Sequence, residues 1–295
     1  MSGQRRPVAT RRSWLFVPGA DEDALNNAPH SGADVACQEL EDFTPPEKRA
    51  EARELSPDIL TSWREAGMVT AVRINPLEEC GHDDLEAAMP GRPHAVYLPK
   101  VSASGQIIRL DAEIERLEEQ NGIEPGSTEI IPNIESALGL TRTYIIATSS
   151  ARVSACLVAS EDMAADLGAE RGQDSAELDY VRARFHLECT AAGVLSIDCP
   201  YTWSDETGVK TEALHARRLG YRAKSAVAPA HAAVINGVFT PSAAEIAGAK
   251  RIIEMYEAAR ARGDATTEID GNLVELPTYL TANRLLDRAR EFGLG

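Results

Sequence analysis

Short apolar, β-branched runs recur along the chain, with helical patterns between them. The runs fall at 14–17, 33–40, 70–74, 95–98, 129–134, 153–158, 194–197 and 223–227. Each has the length and composition of a strand buried on both faces. Helical stretches lie between them, at 21–27, 48–54, 58–65, 110–119 and 177–192 among others. In the last of these, Leu178, Val181, Phe185, Cys189 and Ala192 recur at helical spacing and predict one buried face. Strands alternating with helices imply parallel pairing through helical crossovers. Eight such units in roughly 230 residues fit a closed (β/α)₈ TIM barrel, for which about 250 residues is typical. The competing open, doubly wound sheet usually carries a glycine-rich turn after its first strand, and VPGADED at 17–23 is not GxGxxG.

Beyond the eighth run the pattern changes. Residues 242–262, SAAEIAGAKRIIEMYEAARAR, read as a helix with a serine at its start; a turn over 263–271, a short apolar piece and a final helix over 278–292 follow. The expected division is an α/β barrel over 1–240 and a C-terminal helical segment, an appendage or lid, over 241–295.

Composition narrows the class without naming an activity. The chain is 43% hydrophobic and 26% charged, as in ordinary globular proteins, and no window approaches 18 unbroken apolar residues, so no membrane span is expected. The basic start, MSGQRRPVATRRS, is followed by no apolar core and does not read as a signal peptide. The five cysteines are scattered singly, without a CxxC pair, which fits free thiols in a reducing, cytoplasmic compartment. A net charge of −16 argues against nucleic acid as a partner.

In such barrels the chemistry sits at the C-terminal ends of the strands. Polar residues stand at most of these ends: Glu39, Glu41 and Asp42 after the second run, Arg73 and Asn75 after the third, Lys100 after the fourth. Glu135 follows the fifth, Glu161 and Asp162 the sixth, Asp198 the seventh, and Lys224 lies in the eighth. A carboxylate that ends an apolar run, as Glu135 does, needs a cation, a metal or a proton, because a buried unpaired charge costs several kcal/mol or more. Two or three carboxylates with open positions suit a hard cation, Mg²⁺ above all. No histidine or cysteine stands at these positions, which weighs against zinc. Glu135 with Asp162 is the favoured pair, since each closes a strongly apolar run, and the two-pronged guanidinium of Arg73 suits a substrate carboxylate. Each residue also has a plain structural reading. Asp162 fits a cap on the helix starting near Met163, Glu41 and Asp42 fit a solvated loop before Pro45 and Pro46, and Lys100 fits an ion pair better than a Schiff base.

Several stretches together resemble the citrate lyase beta-subunit and malyl-CoA lyase family, within the HpcH/HpaI aldolase/citrate lyase superfamily. They are RRSWLFVPG (11–19), GADVACQELEDF (32–43), VRINP (72–76), LPK (98–100), PNIESALGL (132–140), SEDMAADLGAERG (160–172), SIDCPY (196–201) and INGVFTPSAAEIAGAKRII (235–253). Each is weak alone; the ordered set covers nearly the whole chain. The resemblance implies a (β/α)₈ barrel with a C-terminal helical lid, assembled as a homotrimer or hexamer. It implies Mg²⁺, with Mn²⁺ as substitute, held by Glu135 and Asp162, and Arg73 stabilising an enolate-like oxygen. Glu41 and Asp42 match the family's acidic pair, which orders metal-bound water. Glu275, in IDGNLVE, falls at the place of an acid that a neighbouring subunit offers for proton transfer. Arg12, Pro18, Gly19 and Lys100 lie in motifs expected to contact substrate. The implied activity is cleavage of a 3-hydroxyacyl-CoA such as malyl-CoA or citramalyl-CoA between its α and β carbons, or the reverse condensation.

The departures matter. The family's Asp-Leu-Glu-Asp is Glu39-Leu40-Glu41-Asp42 here, the glycine before its Glu-Asp pair is Ala159, and its Ile-His-Pro is Val227-Ala228-Pro229. CoA-using members carry basic residues near the turn after Pro18-Gly19, where this chain has Ala20-Asp21-Glu22-Asp23. That charge repels CoA phosphates unless Arg5, Arg6, Arg11, Arg12 or Arg49 offset it. An aldolase acting on a free hydroxy or oxo acid therefore stays open beside the thioester lyase. A barrel without chemistry, serving as a scaffold, is opposed by the intact Arg73, Glu135 and Asp162.

Overall fold

The computed structural model describes residues 5–294. Eight parallel strands close into a barrel in sequential order. The first half runs β1 (Ser13–Pro18), α1 (Glu22–Asn27), β2 (Val35–Glu39), α2 (Arg49–Glu65), β3 (Val69–Arg73), α3 (Gly81–Ala88), β4 (Ala95–Leu98) and α4 (Ser104–Gln120). The second half opens with β5 (Glu129–Ile134), α5 (Ala137–Leu140), α6 (Thr143–Ala147), β6 (Ala155–Val158) and α7 (Glu161–Leu167). It continues with α8 (Asp179–Ala192), β7 (Leu195–Asp198), α9 (Glu206–Leu219), β8 (Ala223–Ala226) and α10 (His231–Phe239). The chain divides into two compact units between Gly237 and Val238. In the second lie α11 (Ala243–Ala261), the antiparallel pair β9 (Thr267–Ile269) and β10 (Asn272–Val274), and α12 (Leu276–Glu291).

Alternation along each strand decides what fills the barrel. Trp14 and Phe16, Val35 and Cys37, Val69 and Ala71, Ala95 and Tyr97, and Ile131, Ala155, Leu157, Ile197 and Ala223 form one buried interior cluster. Small alanines make room for three large rings, and Tyr97 meets Trp14 and Phe16 edge-on, with centroids 6.0 and 5.2 Å apart. The inward parity continues upward to Glu39 and Arg73 and downward to Glu129, so polar groups close both ends of an apolar plug. At the lower end Arg11, only 1% exposed, forks onto Glu129 at 2.7 and 3.0 Å, and Ser154 Oγ adds a third bond to that carboxylate.

Two local expectations are corrected. Helices expected separately at 48–54 and 58–65 are one helix, α2, with Pro57 inside it. The lost hydrogen bond is outweighed by a continuous buried face of Ala52, Ser56, Ile59, Leu60 and Trp63. The turn expected over 263–271 contains a hairpin instead. Asp270 and Gly271 both have positive φ, 52° and 79°, the backbone of a two-residue turn that Asp-Gly favours. The final helix starts at Leu276 with Pro277 in its first turn, where a missing N–H costs nothing.

Candidate active site

The segment PNIESALG shows why an acid stands where it does. Strand β5 ends at Ile134, and Ser136 caps α5 by accepting from Gly139 N at 3.1 Å. Gly139 has no room for a side chain: a Cβ there would lie 2.6 Å from the carbonyl of Val101. Asp166 of α7 accepts from Ala137 N at 2.7 Å, tying the start of α5 to the helix that carries Asp162. Glu135 is caught between strand and cap, 4% exposed, and neither of its carboxylate oxygens has a hydrogen-bond partner among the described residues. Burial, then the charges of Glu41 and Asp162, push its carboxyl up to about 8, against an opposing pull from Arg73. Asn133 lies near enough to favour the ionised form slightly, yet its amide makes no aligned bond either.

Arg73 ends β3 pointing inward. Its Nε donates to Glu39 at 2.8 Å, a terminal nitrogen lies 3.4 Å from Glu41, and its guanidinium stacks 5.3 Å from the Phe16 ring and 5.6 Å from the Phe43 ring. Burial works against its charge, but Glu39 and Glu41 more than offset this and hold it protonated. Glu39 also accepts from the backbone N–H groups of Glu41 and Phe43, which shapes the loop that presents Glu41 and Asp42. Burial raises Glu41 despite the pull of Arg73 and Lys100. Lys100, in a left-handed backbone conformation with φ 53°, places Nζ 2.6 Å from Glu41 and 3.7 Å from Asp42. Burial works against the Lys100 charge, but Glu41 more than offsets it and raises this lysine. That is the ion-pair reading rather than the Schiff-base one, since a Schiff-base lysine must lose its proton.

Of these groups Arg73 and Asp42 line a cavity of about 310 Å³, whose wall also includes Phe16, Ser160, Asp162 and Ser225; Glu135, Glu41 and Lys100 are not among its lining residues. Asp162 lies in the first turn of α7, whose cap position is Ser160, and makes no cap itself. Among the described residues no group of three or more His, Cys, Asp or Glu is arranged to hold a metal. Two carboxylates nevertheless fit Mg²⁺, which keeps several waters and binds through one or two protein oxygens. The unpartnered oxygens of Glu135 are the observation that favours a cation.

Pro18 ends β1, and Gly19 follows under strict steric control: a Cβ there would sit 2.5 Å from the carbonyl of Glu39. Gly19 N donates to Thr44 Oγ1 at 3.0 Å, and its carbonyl accepts from Gln38 at 3.1 Å. Arg12 is not in the cavity. It precedes β1 at the opposite mouth, where its main-chain N–H and guanidinium hold Asp34 at 2.8, 2.8 and 2.9 Å. Arg5 and Arg11 pair with Glu129 and Arg6 with Asp34, so these arginines are not beside the turn after Pro18. Asp198 and Lys224 face outward, not inward. They form a fully buried ion cluster with Arg182 of α8, Lys224 Nζ lying 2.6 Å and Arg182 Nε 2.9 Å from Asp198, and with Glu212 of α9. Glu275, in the second unit, is exposed at the cap position of α12 without a capping bond.

Asn133, Phe16, Phe43 and Ser225 were not singled out from the sequence. Inward parity marks three of them: Asn133 stands two before Glu135, Ser225 two after Ala223, and Phe16 two after Trp14. Phe43 lies on a loop and carries no such signal.

A closed (β/α)₈ barrel with carboxylates and an arginine at its C-terminal rim defines a class: barrel enzymes with their polar groups gathered at the C-terminal ends of the strands. Residues 12–229 match the HpcH/HpaI aldolase/citrate lyase family. The citrate lyase subunit beta of Escherichia coli K12 is 33% identical over 293 residues, covering 99% of this chain and 97% of that protein. An L-malyl-CoA/beta-methylmalyl-CoA lyase of Cereibacter sphaeroides is 30% identical, with 96% of each chain covered. Among solved structures, CitE of Mycobacterium tuberculosis in complex with magnesium, acetoacetate and coenzyme A has a TM-score of 0.79 at 26% identity, covering 96% of this chain and all of that one. The chain therefore belongs to the HpcH/HpaI aldolase/citrate lyase family and is an enzyme of the carbon–carbon lyase class.

Proposed function

We propose that the protein is a Mg²⁺-dependent lyase that cleaves a 3-hydroxyacyl-CoA of the malyl or citramalyl type, or runs the reverse condensation. The observation that carries this reading is Glu135, buried with both oxygens unpartnered beside Asp162 and Arg73. Glu135 and Asp162 would hold the ion. When bound, Mg²⁺ supplies Lewis-acid stabilisation of oxygen charge as the bond breaks. Arg73, already ordered by Glu39 and two aromatic rings, needs no reorganisation to face an enolate oxygen. Glu41 and Lys100 form a charged pair at the rim that keeps Asp42 and the loop in place. Exposed Glu275 is the proposed proton-transfer acid, offered to a neighbouring subunit in a homotrimer or hexamer. Light scattering on the purified protein would check the assembly.

One observation favours the free-acid alternative. A cavity of about 570 Å³ by the first turn is lined by Asp21, Glu22 and Asp23, and among the described residues Lys48 is its only cationic lining residue; Asp21 serves as the cap of α1. The N-terminal arginines, at the other mouth, do not offset that charge. Isothermal titration with CoA, acetyl-CoA and pyruvate, each with and without Mg²⁺, separates the two. Micromolar CoA binding supports the thioester lyase. Absent CoA binding, with Mg²⁺-dependent pyruvate binding, replaces it with an aldolase of free acids.

A further inference from the structure

At the end of the barrel opposite the candidate active site, a third cavity, of about 530 Å³, is lined by Arg5, Arg64, Arg92, His94 and Ile123 with neighbouring loop residues. Arg64 closes α2, Arg92 and His94 lead into β4, and Ile123 lies in the loop from α4 to β5. In a chain of net charge −16 this is a concentration of positive charge. Arg5 shares the single carboxylate of Glu129 with Arg11, leaving one positive charge in excess. Arg64 donates only to the carbonyls of Gly91 and Arg92, at 3.0 and 3.3 Å, and Arg92 only to that of Asn121, at 3.4 Å. Neither has a carboxylate partner among the described residues. Glu124 also lines the cavity, but forms no ion pair among the described residues.

Two further features point to a ligand. Arg92 occupies a left-handed position, φ 54° and ψ 58°, where glycine or asparagine is the ordinary choice. Strain of this kind persists only where the surrounding structure over-determines the backbone. At His94, Nδ1 accepts from Thr70 N at 3.0 Å, so the neutral ring carries its proton on Nε2, which makes no hydrogen bond among the described residues. Burial and the nearby arginines hold His94 down at about 4, so it serves as a neutral donor. Guanidinium forks and an imidazole N–H are the donor set for oxyanions.

We propose that this cavity binds a small multivalent oxyanion, phosphate-bearing or polycarboxylate, at a site separate from the active site. The proposal does not depend on which substrate the enzyme cleaves. A ligand there would tie the N-terminal arm to the loops before β4 and β5 and stabilise the folded barrel by mass action.

The test is isothermal titration of metal-free, dialysed full-length protein with pyrophosphate and, separately, with citrate. Saturable binding of one or both is expected, at least about tenfold weaker in Arg92→Gly and weaker again in Arg64→Gln combined with Arg92→Gly. Glycine accepts φ 54° without strain, so Arg92→Gly keeps the fold, and thermal unfolding without anion checks this. Pyrophosphate binding alone identifies a phosphate ligand, and citrate binding alone a polycarboxylate. No saturable binding of either anion in the millimolar range overturns the proposal. So does binding that survives both variants but is lost in Arg73→Gln, which would place the anion at the catalytic mouth.

Discussion

Glu135 and Asp162 end in the same carboxylate group, and their roles follow from what surrounds them. Asp162→Asn keeps size and shape while removing the charge a cation needs, so it should lower Mg²⁺-dependent turnover by about a hundredfold or more and leave the far-UV spectrum unchanged. Full activity would remove the metal assignment. Glu275 lies on an exposed cap and its side chain makes no capping bond among the described residues, so Glu275→Ala should slow turnover without changing Tm or Mg²⁺ affinity. An unchanged rate would take it out of the mechanism. Glu135 was legible as the acid that follows an apolar strand, whereas Asp162 stands four residues beyond β6, half-exposed in the first turn of α7. Arg12 was misplaced because a motif spanning a strand runs from one mouth of the barrel to the other. RRSWLFVPG starts at the lower end and finishes at the upper, and only its last residues reach the rim.

At the scale of elements, strand parity separates the polar residues of the candidate site from those of the buried ion cluster. Glu39 and Arg73 share the inward face of the interior cluster, whereas Asp198 and Lys224 point toward α8 and α9. Asp198 lies below its ordinary range: burial would raise it, but Arg182 and Lys224 more than offset that. Removing one partner leaves an uncompensated buried charge. Lys224→Met should therefore destabilise the protein by about 3–5 kcal/mol in urea unfolding. A loss within experimental error would mean that water or rearrangement neutralises the cluster. A residue's place in a strand, rather than its type, made this distinction, and a one-residue error in strand end exchanges the two faces.

For the whole molecule, Glu135 couples stability to pH, and under the proposed function to metal as well. Its folded value, about 8, lies above the ordinary 4.5. Between these values the folded protein keeps a proton that the unfolded chain releases. The stabilisation is thus complete below about 4.5 and is lost as pH rises through about 8. Metal-free protein should show a Tm that falls across that window, by an amount corresponding to a few kcal/mol. Glu135→Gln, or saturating Mg²⁺, should flatten the profile. A slope that persists in both would show that other groups carry it. His94, held down at about 4 by burial, works in the opposite direction at the lower end of the window, which is why the variant comparison is needed.

The chain's hydrophobic pattern by itself determined eight strands, their helical crossovers and the rim on which the acids stand, because burial on both faces dictates composition locally. The helical segment after the barrel was also visible, although its Asp270-Gly271 hairpin went unread. Which polar residues converge was decided only by tertiary structure. Barrel closure brings Glu39 against Arg73, Glu41 against Lys100 and Arg5 beside His94, pairs separated by 34, 59 and 89 positions. No local preference encodes such meetings. They follow from strand register and from the inward or outward turn of each side chain, which exist only once the sheet has closed.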